Sequence, residues 1–195
     1  MTEVIEKTIA IPETAERTTA VAVGLKPLVR NRSMGSHQSA RMINDEWLTP
    51  PQILNKLGEF DLDPCAPIIR PWDTAKSHYT VQEDGLIKKW FGRIWLNPPY
   101  SKEAVKWLRR LAEHGNGIAL TFARTETHWF FETIWEKADS LLFLRGRIHF
   151  CYIDGSVAKA NAGAPSVLIA YGKENSQILK NCGIAGKYVE ISSDF

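Results

Sequence analysis

Residues 93–113 read Arg93-Ile94-Trp95-Leu96-Asn97-Pro98-Pro99-Tyr100-Ser101-Lys102-Glu103-Ala104-Val105-Lys106-Trp107-Leu108-Arg109-Arg110-Leu111-Ala112-Glu113, and this stretch decides the fold. Arg93–Leu96 is a short apolar strand, closed by Asn97-Pro98 because proline cannot donate to a strand ladder. Ser101 then reads as the N-cap of a helix through Glu113, with apolar residues at Ala104, Val105, Leu108, Leu111 and Ala112. Gly115-Asn116-Gly117 stops that helix, and Ile118–Phe122 is the next strand. Upstream, Pro51–Leu57 is a short helix with proline at a tolerated start, and Phe60–Asp63 is a strand ending at Pro64. Downstream, the pattern predicts a helix over Thr127–Ala138 and a strand over Leu141–Leu144. Ile148–Ile153, closed by Asp154-Gly155, is one arm of a hairpin or a substrate-facing loop. A strand at Ser166–Tyr171, a helix around Gln177–Cys182 and a strand around Tyr188–Ile191 complete the series. Strands alternating with helices predict an α/β domain, a mostly parallel sheet with helices on both faces. Ligands of such sheets bind outside the carboxyl ends of the strands. The two proline-terminated strands deliver Asp63-Pro64-Cys65-Ala66 and Asn97-Pro98-Pro99-Tyr100 to that edge.

The chain has 195 residues, enough for one domain with a real core but cramped for two. Residues 1–34 hold no aromatic side chain and are interrupted by Pro12 and Pro27, so they read as a flexible tail before a domain over 35–195. The net charge of +2 places any basic patch locally. Cys65, Cys151 and Cys182 are widely spaced without a CxxC, and the histidines are scattered. A reduced, cytoplasmic protein with no metal site is therefore expected. No apolar run is long enough for a membrane span, and Glu3 and Glu6 stand where a signal peptide would carry positive charge.

The Asn97-Pro98-Pro99-Tyr100 loop carries groups suited to a particular reaction. An exocyclic amine such as N6 of adenine is a poor nucleophile, because its lone pair is delocalised into the ring. Two acceptors aimed at its N–H groups draw it toward a pyramidal, more electron-rich state. The Asn97 side-chain oxygen is one such acceptor and the Pro98 carbonyl the other. Consecutive prolines restrict the backbone and keep both in place. Tyr100 offers a face for an extruded base, with stacking worth about 1–3 kcal/mol. A bare Asn-Pro-Pro can equally be a turn; Tyr100 and the helix that follows favour the chemical reading.

This loop resembles the catalytic motif of amino-methyltransferases. Asp45-Glu46-Trp47-Leu48-Thr49-Pro50-Pro51 followed by Asp61-Leu62-Asp63-Pro64-Cys65-Ala66 resembles the phage-type DNA N-6-adenine-methyltransferase (Dam) family. Gly35-Ser36-His37-Gln38-Ser39 and Ala123-Arg124-Thr125-Glu126-Thr127 are similar to it as well, so that the likeness spans about residues 35 to 172. The resemblance implies a Rossmann-like methyltransferase fold, S-adenosylmethionine as cofactor and double-stranded DNA as partner. It implies that Trp47, Thr49, Asp63, Pro64 and Cys65 line the cofactor site. Thr49 would lie by the methionine carboxylate and Asp63 by its ammonium group. Asp84 and Leu86 would hold the cofactor adenine. The chain departs from many relatives in having Cys65-Ala66-Pro67 where they carry a glycine-rich turn. The family's association with phages implies protection of phage DNA in a bacterial host.

Pro64-Cys65 looks superficially like a cytosine C5-methyltransferase nucleophile, but it comes with the first strand, before a cofactor site could form; a small buried cysteine is the better reading. Arg124, Arg145, Arg147 and His149 are candidate DNA contacts, the last three because basic and aromatic residues interleave there. N4-cytosine, RNA and protein-glutamine methylation share the same electronic problem and stay open, as does a non-catalytic DNA-binding relative. A homodimer is compatible with the sequence.

Overall fold

A computed structural model describes residues 47–100 and 102–191. The expected tail at 1–34, the Gly35–Ser39 motif and the side chain of Ser101 lie outside the described residues. The elements run α1 (Pro51–Leu57), β1 (Leu62–Asp63), β2 (Ser77–His78), β3 (Ile94–Leu96), α2 (Ala104–His114), β4 (Gly117–Phe122), α3 (His128–Phe130), β5 (Ser140–Leu144), β6 (Ser166–Tyr171), α4 (Lys173–Asn181) and β7 (Gly186–Glu190). They build a mixed α/β fold around a seven-stranded sheet of order β2-β1-β3-β4-β6-β5-β7.

The expectation of a mostly parallel sheet is corrected. β2, β1, β3 and β4 pair in parallel, but β6 pairs antiparallel with both β4 and β5, and β7 antiparallel with β5. The antiparallel ladders are also the longer ones. The cause is the reversed insertion of β6 between β4 and β5, which leaves β5 running in the direction of β4. All six residues of β6 are buried. An apolar run buried on both faces carries no sign of its direction, so periodicity could not reveal the reversal.

Alternation along the strands sends side chains to two apolar clusters. Ile94, Leu96, Ala119, Leu141, Val167, Ile169 and Tyr171 pack with Trp107, Leu108 and Leu111 of α2 and with Phe130 and Ile134. Trp95, Ile118, Leu120, Leu142, Leu168 and Ala170 pack with Leu54 and Leu57 of α1 and Leu179 of α4. Helices thus cover both faces, as expected. α2 ends as its sequence requires, with Gly115 at φ 72° donating its N–H to Leu111.

Three elements differ from their reading. The helix expected over Thr127–Ala138 is a single turn of α3 that runs into a π-helical turn at Phe131–Trp135. There the Thr133 hydroxyl donates to the Trp129 carbonyl (2.7 Å), while the Thr133 carbonyl accepts from Tyr171 Oη (2.7 Å). Both bonds draw backbone acceptors away from a regular helix. β2 was not expected, since Ser77-His78 has no strand pattern. Ile148–Ile153 forms no regular strand; Cys151 bridges singly to Leu48 and to Val157.

At the amino edge of the parallel strands, Arg93 joins four segments. Its Nε donates to Asn175 Oδ1 (2.6 Å), Nη1 to the Glu59 carbonyl (2.7 Å) and Nη2 to the Leu57 carbonyl (2.9 Å). The guanidinium lies 4.2 Å from the centre of the Phe60 ring. Buried Asn175 in turn donates to Asn116 Oδ1 and to the Tyr171 carbonyl, at 2.8 Å each. The end of α1 and the starts of β3, β4 and α4 are therefore tied together just before the strand that carries Asn97. Arg93→Ala should cost about 3 kcal/mol of stability, because it strands buried acceptors as well as removing bonds. Urea unfolding measures it. Arg93→Lys should recover only a small part, since an ammonium cannot serve three divergent acceptors.

Candidate active site

Strand direction decides where the chemistry-bearing residues meet. β1, β3, β4 and β5 all run the same way, so the residues just beyond them share one edge of the sheet. Asp63 closes β1 and Asn97 follows β3. Arg124 follows β4, and Arg145 and Arg147 follow β5.

A cavity of about 80 Å³ opens between the first two of these loops, lined among others by Trp47, Thr49, Asp63, Cys65, Asn97 and Pro99. Six of the residues singled out from the sequence are thereby brought together. The Asn97 amide is oriented on both sides. Its Nδ2 donates to the Trp47 carbonyl (2.8 Å), and its Oδ1 accepts from Tyr100 Oη (3.2 Å). Pro98 is buried beside it. The Tyr100 ring stacks on Phe122, with centroids 4.3 Å apart, and meets the edge of Phe150 at 5.9 Å. Burial pushes the Tyr100 hydroxyl far above its ordinary pKa, so it stays a neutral donor. Trp47 extends the aromatic group through Phe150 and Tyr152.

Asp63 is buried, and both its oxygens are engaged. Oδ1 accepts from the Cys65 N–H (3.1 Å) and Oδ2 from Thr74 Oγ1 (2.5 Å). Burial raises its pKa from 3.8 to about 6, against the opposing pull of those hydrogen bonds and of the Arg70 charge. Thr49 is buried too, and its hydroxyl has no hydrogen-bond partner among the described residues. Such an orphan at a cavity wall is expected where a ligand completes the bonding. Burial, and then the neighbouring Asp63 charge, push the Cys65 thiol well above its ordinary pKa, while its Sγ lies 3.5 Å from the Asn97 carbonyl. A thiol held protonated in this way is a poor nucleophile.

Asp84 and Leu86 are not brought into the cavity. Their loop abuts the β1 loop by its backbone: a Cβ on Gly85 would stand 1.9 Å from the Pro64 carbonyl oxygen. Asp84 itself is exposed, and Leu86 lines a separate groove with Lys106, Arg109, Arg110 and Glu113 of α2. Arg124, Arg145, Arg147 and His149 are exposed, and His149 Nδ1 lies 3.3 Å from the Ala158 carbonyl. Sequence reasoning missed Thr74, which has no motif around it and reaches Asp63 only through a loop. It also missed the Tyr100–Asn97 hydrogen bond, although the spacing of three residues could have raised it. Among the described residues no group of acidic, histidine and cysteine side chains could hold a metal ion, and no helix is long and apolar enough to cross a membrane.

An α/β sheet with a strand-terminal Asn-Pro-Pro-Tyr loop beside a buried carboxylate defines a candidate enzyme. A family model described as DNA N-6-adenine-methyltransferase (Dam) matches residues 36–181, and the chain belongs to this family. Searches of curated proteins and of solved structures returned no match.

The raised Asp63 pKa has a consequence for stability. A carboxyl that titrates near 6 when folded and near 3.8 when unfolded contributes stability fully present below 3.8, and lost as pH rises through 6. The stability of wild type relative to Asp63→Asn should fall by roughly 3 kcal/mol across that window. Denaturant unfolding of both proteins at several pH values checks this; parallel curves would show that Asp63 is not buried as described.

Proposed function

We propose that the chain transfers a methyl group from S-adenosylmethionine to N6 of adenine in double-stranded DNA. On this reading the fold is a Rossmann-like methyltransferase fold, and the flipped-out base enters at Asn97-Pro98-Pro99-Tyr100. The observation that carries the proposal is the oriented Asn97 amide, whose nitrogen is committed to the Trp47 carbonyl while its oxygen stands at the carboxyl edge of β3.

The residues present fit the cofactor's amino-acid end. The orphaned Thr49 hydroxyl suits a carboxylate and the buried Asp63 an ammonium group. A cavity of about 80 Å³ matches such an end group, whereas whole ligands occupy about 300–1,000 Å³. Trp47, Pro64 and Cys65 would form its walls. When bound, S-adenosylmethionine supplies an electrophilic methyl group. The chain's own residues prepare the nucleophile. Asn97 Oδ1 accepts one N–H of the adenine amine; the oxygen has two lone pairs, so the Tyr100 hydroxyl can remain or yield. The Pro98 carbonyl accepts the other N–H, and the amine gains nucleophilic character. Because the Trp47 carbonyl accepts from Nδ2, the amide cannot rotate to offer its nitrogen instead. Exposed Arg124, Arg145, Arg147 and His149 supply phosphate contacts near the same edge. Methylation in the host cytoplasm that shields phage DNA is the biological role this reading carries.

Asn97→Ala should lower transfer of labelled methyl groups to DNA by at least about 100-fold, with cofactor binding retained. Transfer at the wild-type rate would contradict the role of the amide. Arg147→Ala should weaken DNA binding across sequences and reduce the slope of log affinity against log salt by about one, as loss of a phosphate contact requires. Fluorescence anisotropy at several salt concentrations reads both.

A further inference from the structure

The loop between β1 and β2 returns Thr74 to the carboxylate that β1 delivers, and the contact is built from both sides. Lys76, Ser77 and Tyr79 donate backbone N–H groups to Phe60, Asp61 and Asp63, at 2.9–3.0 Å, which seats β2 beside β1. His78 on β2 stands in register with Asp63. Its Nε2 lies 3.3 Å from the backbone N–H groups of both Thr74 and Ala75. Arg70 reaches the other ring nitrogen, Nδ1, at 3.1 Å, and also holds Asp73 (3.0 Å) and the Pro67 carbonyl (3.3 Å). Burial, and then the Arg70 charge, lower the His78 pKa, which keeps the ring neutral. A neutral imidazole accepts at one nitrogen only. With Nε2 taking the backbone N–H groups, Nδ1 carries the proton, and Arg70 braces the loop through Asp73 and the Pro67 carbonyl; Asp73 lies 3.8 Å from Nε2.

We infer that Thr74 is a positioning residue for cofactor binding: its hydroxyl orients Asp63 and favours its ionised form, and His78 with Arg70 fixes the loop that places the hydroxyl. The inference rests on the reading that Asp63 receives the cofactor's ammonium group. The charged and titratable groups around Asp63 are Arg70, Cys65 and His78. The bond from the Cys65 backbone survives any side-chain change, and among the side chains that hold the Asp63 pKa down Thr74 has the largest effect, ahead of Arg70 and the Cys65 thiol. A carboxylate at 2.5 Å from a hydroxyl accepts a short, charge-assisted bond, which offsets part of its desolvation. Without that donor, Asp63 should be protonated to higher pH and should rotate more freely.

The test uses the full chain, with Thr74→Val, Thr74→Ser and Asp63→Asn compared with wild type. Carboxyl carbon NMR of the cofactor-free protein follows the Asp63 titration, and calorimetry measures S-adenosylmethionine binding across pH. In Thr74→Val the Asp63 midpoint should move up from about 6. Cofactor affinity at neutral pH should fall by about tenfold and recover as pH rises, while kcat at saturating cofactor changes little. Thr74→Ser, which keeps the hydroxyl, should restore both. An unchanged midpoint and affinity in Thr74→Val, while Asp63→Asn binds weakly, would overturn the role of Thr74 alone. Wild-type binding by Asp63→Asn would overturn the assignment of Asp63 and the inference with it.

Discussion

Arg93 anchors the amino edge of the sheet, and the placement of the site follows from it. Its guanidinium bonds to Asn175 and to the carbonyls of Leu57 and Glu59, and Asn175 passes the connection to Asn116 and Tyr171. β3 is only three residues long, so a residue fixed at its start determines where Asn97 emerges at its end. The intervening Ile94, Trp95 and Leu96 are buried and add no freedom. A polar network at one edge thus leaves the opposite edge to be shaped by chemistry.

That opposite edge gathers groups that packing alone leaves unfavourable. Among the described residues, a carboxylate is buried without an ion pair at bonding distance, and a buried threonine hydroxyl has no hydrogen-bond partner. Each costs stability unless a ligand or a second contact compensates. Their convergence on one small cavity is the expected mark of a binding site, since departures from consistent packing concentrate where function demands them. The aromatic group of Trp47, Tyr100, Phe122 and Phe150 adds a stiff wall beside the oriented amide.

Much of this was legible in the sequence because it depends on local signals. Proline after Asp63 and after Asn97 marked the ends of two strands, and Gly115 marked the end of α2. Pro51–Leu57 was readable as a helix from its proline start. What was hidden depends on tertiary pairing. The reversed β6 has the same apolar sequence in either direction. β2 is a strand only because Asp63 and its neighbours offer acceptors to Ser77 and Tyr79. The π-helical turn falls where Tyr171, 38 residues on, bonds to the Thr133 carbonyl. Thr74 likewise acquires its meaning from a loop closed by Arg70 and His78. The departure at Cys65-Ala66-Pro67 from a glycine-rich turn also gains a physical setting, for the β1 loop meets Gly85, not a second side chain, at Pro64.

The proposed reaction places the methyl group on N6 of adenine. Purified protein, unmethylated double-stranded DNA and methyl-labelled S-adenosylmethionine, followed by digestion to nucleosides and mass spectrometry, test it directly. The expected result is label in N6-methyl-2′-deoxyadenosine. Label in N4-methyl-2′-deoxycytidine, or no label despite demonstrated cofactor binding, would contradict it.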